Sequence, residues 1–293
     1  MPVKPTSPHR SIGLDAHRLA PAAALACVAL AAAAPARADT ITDTELLNSS
    51  WSVAFLGSGL GGAANSVRVS SGGNPGSMRR VTLSNSAAPN CCTQSIIFAV
   101  HLRVGYLHNP AQAGAVSTIS VQEDTRSLDP APIPQWTGPV IRQDGVYYAA
   151  FGADTGSTTI WQTRTAGPYT AQQFVAIDTS DAVDGVDQSA HPNFTPSGAP
   201  IEIGFFRALA SGLGGSTRSA DVALDNLVIT ITPVPACTGD MNADGVVNTS
   251  DLTAFLARFG QTGAPGAPGD FNNDGAVNVA DLTVFLGRFG RPC

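Results

Sequence analysis

The sequence predicts a mainly β fold: a β-sandwich followed by a small α-helical module. Three observations point there. Short runs rich in Val, Ile, Phe, Tyr and Thr recur between clusters of turn formers, with 30 Gly and 21 Pro in 293 residues. No long amphipathic helix interrupts these runs before residue 237. The last stretch then changes pattern, placing acidic or amide side chains at every second position ahead of apolar residues at helical spacing, and does so twice.

The N-terminal stretch has the form of an export signal. Lys4, Arg10 and Arg18 supply positive charge, Leu19 to Ala34 is almost wholly small or apolar, and Ala36-Arg37-Ala38 gives a small-x-small cleavage pattern. The apolar run is Ala-rich and shorter than the ~20 residues a membrane span needs, so residues 1–38 are expected to be a cleaved signal peptide and the chain secreted, extracellular or at the cell surface. Cys27 sits in a poor lipoprotein box.

Residues 39–233 hold the β-rich runs. They are WSVAFLG at 51–57, MRRVTLS at 78–84, SIIFAVHLRVGYL at 95–107, AVSTISVQE at 115–123, VYYAAFG at 146–152, STTIWQT at 157–163, IEIGFFRA at 201–208 and DVALDNLVITIT at 221–232. Many short strands with turn signals between them argue for a sandwich, and a chain this long in one domain favours a jelly roll. LDNLVIT at 224–230, GGNPGS at 72–77 and AHPNFTPSGAPIEIGFFRA at 190–208 resemble jelly-roll domains of secreted bacterial proteins, loosely related to concanavalin-like sandwiches. Residues 234–236 form a short linker after Pro233.

Composition excludes some classes of function. At 43% hydrophobic and 13% charged the chain is too apolar for disorder, and a net charge of −6 offers no basic footprint for nucleic acid. Export would place Cys91, Cys92, Cys237 and Cys293 in an oxidising compartment.

The repeated stretches carry the most chemistry. Numbered from Asp240, the first loop has Asp240, Asn242 and Asp244 at positions 1, 3 and 5, Gly245 at 6, Val246 at 7, Asn248 at 9 and Asp251 at 12. The second has Asp270, Asn272, Asp274, Gly275, Ala276, Asn278 and Asp281 at the same places. Alternate side chains in a tight loop converge on one point, position 7 offers its carbonyl, and the carboxylate at 12 closes the shell, which is the arrangement a hard cation such as Ca2+ takes. Asp, Asn and Gly favour turns without any metal. Two matches in register, identical at 14 of 21 positions between 240–260 and 270–290, exceed what turn preference explains. Three carboxylates per loop repel one another until a divalent ion neutralises them, so calcium binding is expected to be coupled to folding.

Leu252, Phe255, Leu256 and Phe259 recur as Leu282, Phe285, Leu286 and Phe289, and Gly260 and Gly290 stop each helix. With these residues in view, 237–293 resembles a dockerin, a duplicated EF-hand-like loop–helix module, although position 12 is Asp rather than Glu. The resemblance implies two Ca2+ sites and docking to a cohesin-type or cell-surface partner. It points to Thr249, Ser250, Arg258 and Arg288 as partner-binding residues. Val279 and Ala280 replace the hydroxyl pair in the second repeat, which puts a symmetric dual binding mode in doubt, and Thr249 and Ser250 serve equally well to start a helix. A disulfide between Cys237 and Cys293 would close the module at a gain of ~4 kcal/mol in the chain-entropy model. Two unpaired thiols are the alternative.

The sandwich carries weaker signals. Asp181, Asp184 and Asp187 offer a third calcium site or simply a solvated acidic loop. Trp51, Trp136, Trp161, Tyr147, Tyr148 and Tyr169 are candidates for a sugar-stacking platform or for core packing. Adjacent Cys91 and Cys92 fit a vicinal disulfide, free thiols or pairing between molecules. Glu45, Glu123 and Glu202 are the only glutamates after the signal, and no pair of carboxylates is marked out as a glycosidase acid and nucleophile. His101, His108 and His191 are too scattered to suggest a triad. The reading that follows is a secreted, calcium-binding protein that docks through its tail and binds polysaccharide through its sandwich. A divergent glycoside hydrolase of polysaccharide catabolism and a structural surface protein are the alternatives.

Overall fold

The structure, a computed structural model, describes residues 38–87, 95–152, 154–181, 184–211, 215–234 and 237–291. The export signal, Cys91, Cys92, Cys293 and part of the 234–236 linker fall outside them. Along the chain run β1 (Asp39–Asp43), β2 (Trp51–Gly59), β3 (Gly62–Gly73), β4 (Gly76–Asn85), β5 (Ser95–Arg103), the short α1 (Pro110–Ala113) and β6 (Val116–Ser127). Then come β7 (Gln135–Gln143), β8 (Val146–Ala149), β9 (Asp154–Thr155), β10 (Gln162–Tyr169), β11 (Val175–Ile177), β12 (Val186–Asp187), β13 (Glu202–Ala210) and β14 (Ser219–Pro233). Helices α2 (Thr249–Leu256) and α3 (Val279–Leu286) close the chain. The fold class is the one the sequence predicts: mainly β, two sheets forming a jelly-roll sandwich, with helices at the C-terminus.

One sheet has the order β10-β6-β14-β4-β3, with β1 paired to the far half of β14. The other runs β12-β11-β8-β7-β13-β5-β2, with β9 on β7. Every pairing is antiparallel, as hairpin and Greek-key connections require.

Strand β5 shows how one segment serves two layers. Successive side chains alternate between faces. Ile97 and Ala99 point between the sheets and join Val81, Leu83, Val121, Phe205, Leu224 and Ile229 in the main core. Ile96, Phe98, Val100 and Leu102 point the other way and pack with Val140, Phe206 and Ala208 on the outer face of the second sheet. Buried on both faces, the strand is apolar almost throughout.

The core also holds charge. Arg207 on β13 meets Glu123 on β6 at 2.8 Å, an ion pair between the two sheets with side chains 0% and 1% exposed. His101 on β5 lies flat on Phe205 at 4.3 Å, and its Nε2 is 2.7 Å from Ser66 Oγ on β3 of the other sheet. Arg79 donates to Ser66 Oγ at 3.0 Å and to the Leu46 carbonyl at 3.0 Å, holding the β1–β2 connection against the core.

The strands differ from the sequence reading in two ways. The run at 157–163 is not a strand over its length; bends occupy its first part and β10 begins at Gln162. Strands β1, β3, β7, β9, β11 and β12 have no counterpart among the expected runs. Among the described residues, no helix is long and apolar enough to cross a membrane.

Candidate metal centres

Each tail loop is wired by its own side chains before it meets a helix. Asn248 caps α2 by accepting from Ser250 N at 2.7 Å, while Asp251 Oδ2 accepts from Asn248 N at 2.9 Å, a reciprocal capping box. The other oxygen of Asp251 reaches back across the loop and accepts from Met241 N at 2.8 Å and Asn242 N at 3.1 Å. Asp240 accepts from Asp244 N at 3.2 Å and Gly245 N at 2.9 Å, and Asp244 accepts from Val246 N at 2.9 Å. Gly245 adopts a φ of +88°, a left-handed turn that glycine takes without steric penalty.

The second loop repeats this wiring. Asp281 accepts from Phe271 N, Asn272 N and Asn278 N at 2.7, 3.0 and 2.9 Å, and Asp270 accepts from Asp274 N and Gly275 N at 3.1 and 2.9 Å. Gly275 has a φ of +86°.

The result is two carboxylate triads. Asp240, Asp244 and Asp251 each offer an oxygen, all within 4.8 Å of one another, and so do Asp270, Asp274 and Asp281. Asp251 and Asp281 are wholly buried. Burial, with Asp251 and Asp244 close by, raises the Asp240 carboxyl above its ordinary range. Asp274 is lowered, chiefly by hydrogen bonds from Asn272 and the Ala276 amide. Asn242 and Asn248 both turn Nδ2 toward Asp244 Oδ2, at 2.9 and 3.4 Å, and Asn248 Nδ2 also lies 3.2 Å from the Val246 carbonyl. In the second loop Asn272 and Asn278 approach Asp274 at 2.8 and 3.4 Å, and Asn278 lies 3.2 Å from the Ala276 carbonyl. In each loop the three carboxylates therefore converge, with the two Asn side chains hydrogen-bonded to the carboxylate at position 5. Hard oxygen donors with crowded negative charge fit a divalent cation of the calcium kind.

The helices lock the loops together. Phe255 and Phe285, both wholly buried, stack at 5.8 Å, and Phe271 lies 5.8 Å from the first and 6.4 Å from the second. Val247 exchanges backbone hydrogen bonds with Gly290 and Arg291 at the end of the other repeat, and Val277 does the same with Gly260 and Gln261. Of the expected partner-binding residues, Thr249, Ser250 and Arg288 are exposed and Arg258 is half-buried. Cys237 is disulfide-bonded.

The remaining candidates disperse. Asp181 and Asp184 each accept from a backbone N–H within their own loop, and Asp187 accepts from Ser189 N and Oγ. Trp51 is a core residue, not a platform: it is buried against Phe205 and donates its indole N–H to Asp43 at 3.0 Å. Tyr148 and Tyr169 pack against the same core. Trp161 lies under the Arg126 guanidinium at 5.1 Å. Tyr147 sits on the outer face of the second sheet, covered by Arg142 at 5.7 Å. Trp136 keeps an open ring, 41% exposed, set edge-on to Phe151 at 5.9 Å.

The three glutamates are each held by a different arginine: Glu45 by Arg68, Glu123 by Arg207 and Glu202 by Arg142. His108 Nε2 lies 3.0 Å from the Gly114 carbonyl, and His191 Nδ1 lies 2.8 Å from that of Phe174.

No family model and no curated protein matches the chain. Among solved structures it is similar to the family 11 carbohydrate-binding module from Clostridium thermocellum in complex with a β-1,3-1,4-mixed-linked tetrasaccharide. The two are 13% identical, with a TM-score of 0.37, covering 69% of this chain and 97% of that one. It is also similar to the family 11 carbohydrate-binding module of the cellulosomal cellulase Lic26A-Cel5E of Clostridium thermocellum, at 11% identity and a TM-score of 0.38, covering 67% of this chain and 95% of that one.

Proposed function

We propose that this chain is an exported calcium-binding protein that docks to a cohesin-type or cell-surface partner through its tail and binds polysaccharide through its sandwich. One observation carries the calcium reading: two carboxylate triads, each closing to within 4.8 Å, at loop positions 1, 5 and 12 of a duplicated sequence. Asp240, Asn242, Asp244, Asn248, Asp251 and the Val246 carbonyl would hold one ion. Asp270, Asn272, Asp274, Asn278, Asp281 and the Ala276 carbonyl would hold the other. A bound calcium ion supplies the positive charge that cancels three crowded carboxylates.

The chain's own residues do the rest. Asp251 and Asp281 sit on the first turn of α2 and α3, so loop closure and helix start are one event. Thr249 and Ser250 then lie exposed on α2, and Arg288 just past α3, on elements whose placement depends on the loops, which supports docking there. The exposed ring of Trp136 on the outer face of the second sheet supports a saccharide site, since an open indole stacks on the apolar face of a sugar.

Calcium titration of the chelator-stripped full chain, followed by calorimetry and circular dichroism, tests the reading. Two ions should bind with a gain of helical signal. A chain that shows neither would overturn the assignment.

A further inference from the structure

The end of the sandwich where β13 hands over to β14 holds a slot of about 200 Å³. Its lining includes Trp136, Pro134, Ala208, Ala210 and Arg218. Trp136 on β7 stands directly across from Ala208 on β13, whose single methyl keeps the floor low beside the indole. Arg218 lies in the connection just ahead of β14. Its backbone is tied to Asn85, with N–H to Oδ1 at 2.6 Å, and its guanidinium donates one hydrogen bond, to the Ala210 carbonyl at 3.2 Å.

That guanidinium differs from most others in the sandwich. Arg68, Arg80, Arg103, Arg142 and Arg207 each meet a carboxylate. Among the carboxylates whose side chains the structure describes, none pairs with Arg218, and Asp154, in register with Trp136 on β9, is not one of these. A planar cation with donors to spare thus faces an open indole across a space the size of one sugar ring. Guanidinium binds carboxylate bidentately, and the indole takes the apolar ring face. The chain's net charge of −6 repels a polyanion at large, so recognition must be local to this slot.

We propose that this slot selects an acidic sugar, a hexuronate within a polysaccharide, with Trp136 stacking on the ring and Arg218 pairing with its carboxylate. The proposal rests on the saccharide reading above and names the class of sugar. Isothermal titration calorimetry on the calcium-loaded full chain tests it, using oligogalacturonate and oligoglucuronate, their methyl esters, and neutral gluco- and xylo-oligosaccharides. Both side chains are exposed, so Trp136→Ala and Arg218→Gln should fold normally by circular dichroism.

The acids should bind at least tenfold more tightly than their esters. Arg218→Gln should bring the acids down to the level of the esters and leave the esters unmoved, while Trp136→Ala should abolish both. Esters or neutral sugars binding as well as the acids, or an Arg218→Gln protein with undiminished affinity for the acids, overturns the acidic-sugar proposal and leaves the saccharide reading standing. No response to any sugar removes the saccharide reading itself.

Discussion

Replacing His101 should change how stability depends on pH, and the structure sets both sign and size. The imidazole is wholly enclosed between the sheets, and burial, followed by the Arg79 and Arg207 guanidiniums, holds it well below its ordinary value of 6.5. In the unfolded chain it titrates normally, so below pH ~6.5 the unfolded state binds a proton that the folded state refuses. The contribution is therefore complete above that pH and is lost as pH falls toward the folded value. One such proton amounts to about 1.4 kcal/mol between about pH 7.5 and 5.5.

Phe at position 101 would keep the stack on Phe205 and leave Ser66 Oγ bonded to Arg79 at 3.0 Å. Urea unfolding of both calcium-loaded proteins at the two pH values isolates the term, because every other group cancels in the difference. His101→Phe should gain about 1.4 kcal/mol on the wild type as the buffer is acidified. Parallel losses in the two proteins would refute the argument and mean that the folded state admits the proton.

Other outcomes follow from the same geometry. Glu123→Ala leaves Arg207 buried without its counter-charge and should cost roughly 3–5 kcal/mol in urea unfolding, whereas replacing both partners by apolar residues of similar volume should be nearly neutral or stabilising. Asp244→Ala and Asp274→Ala should each remove one ion from the calorimetric stoichiometry and reduce the helical signal gained on loading. Cys237→Ser removes a disulfide, and thermal unfolding should report a loss of roughly 2–5 kcal/mol.

Legibility in the sequence tracked how local each signal is. The tail was readable because its wiring is short-range: Asp and Asn at fixed offsets, Gly245 and Gly275 at the turns, and Asp251 and Asp281 on the following helices. The strands that were read, such as β5 and β13, are buried on both faces and so almost continuously apolar. Strand β3, GAANSVRVSSGG, was missed because it is a sheet edge, held by β4 alone, with little to bury. Strand β7 was missed for its Gly138-Pro139, which looks like a turn. In place, β7 lies between β8 and β13, with Gly138 pressed against the Ala150 carbonyl where any Cβ would collide. The Trp136–Arg218 slot was invisible because its two walls are far apart in the chain and meet only when the sheets close.

The exchange of backbone bonds at Val247 and Val277 makes each half of the tail the finishing piece of the other. A lone repeat would keep its carboxylates yet lack the partner backbone that bonds to its loop, and Phe255 or Phe285 would lose its stacked twin. Cut between the halves, the tail should yield two fragments that are unstructured apart and regain their shape when mixed.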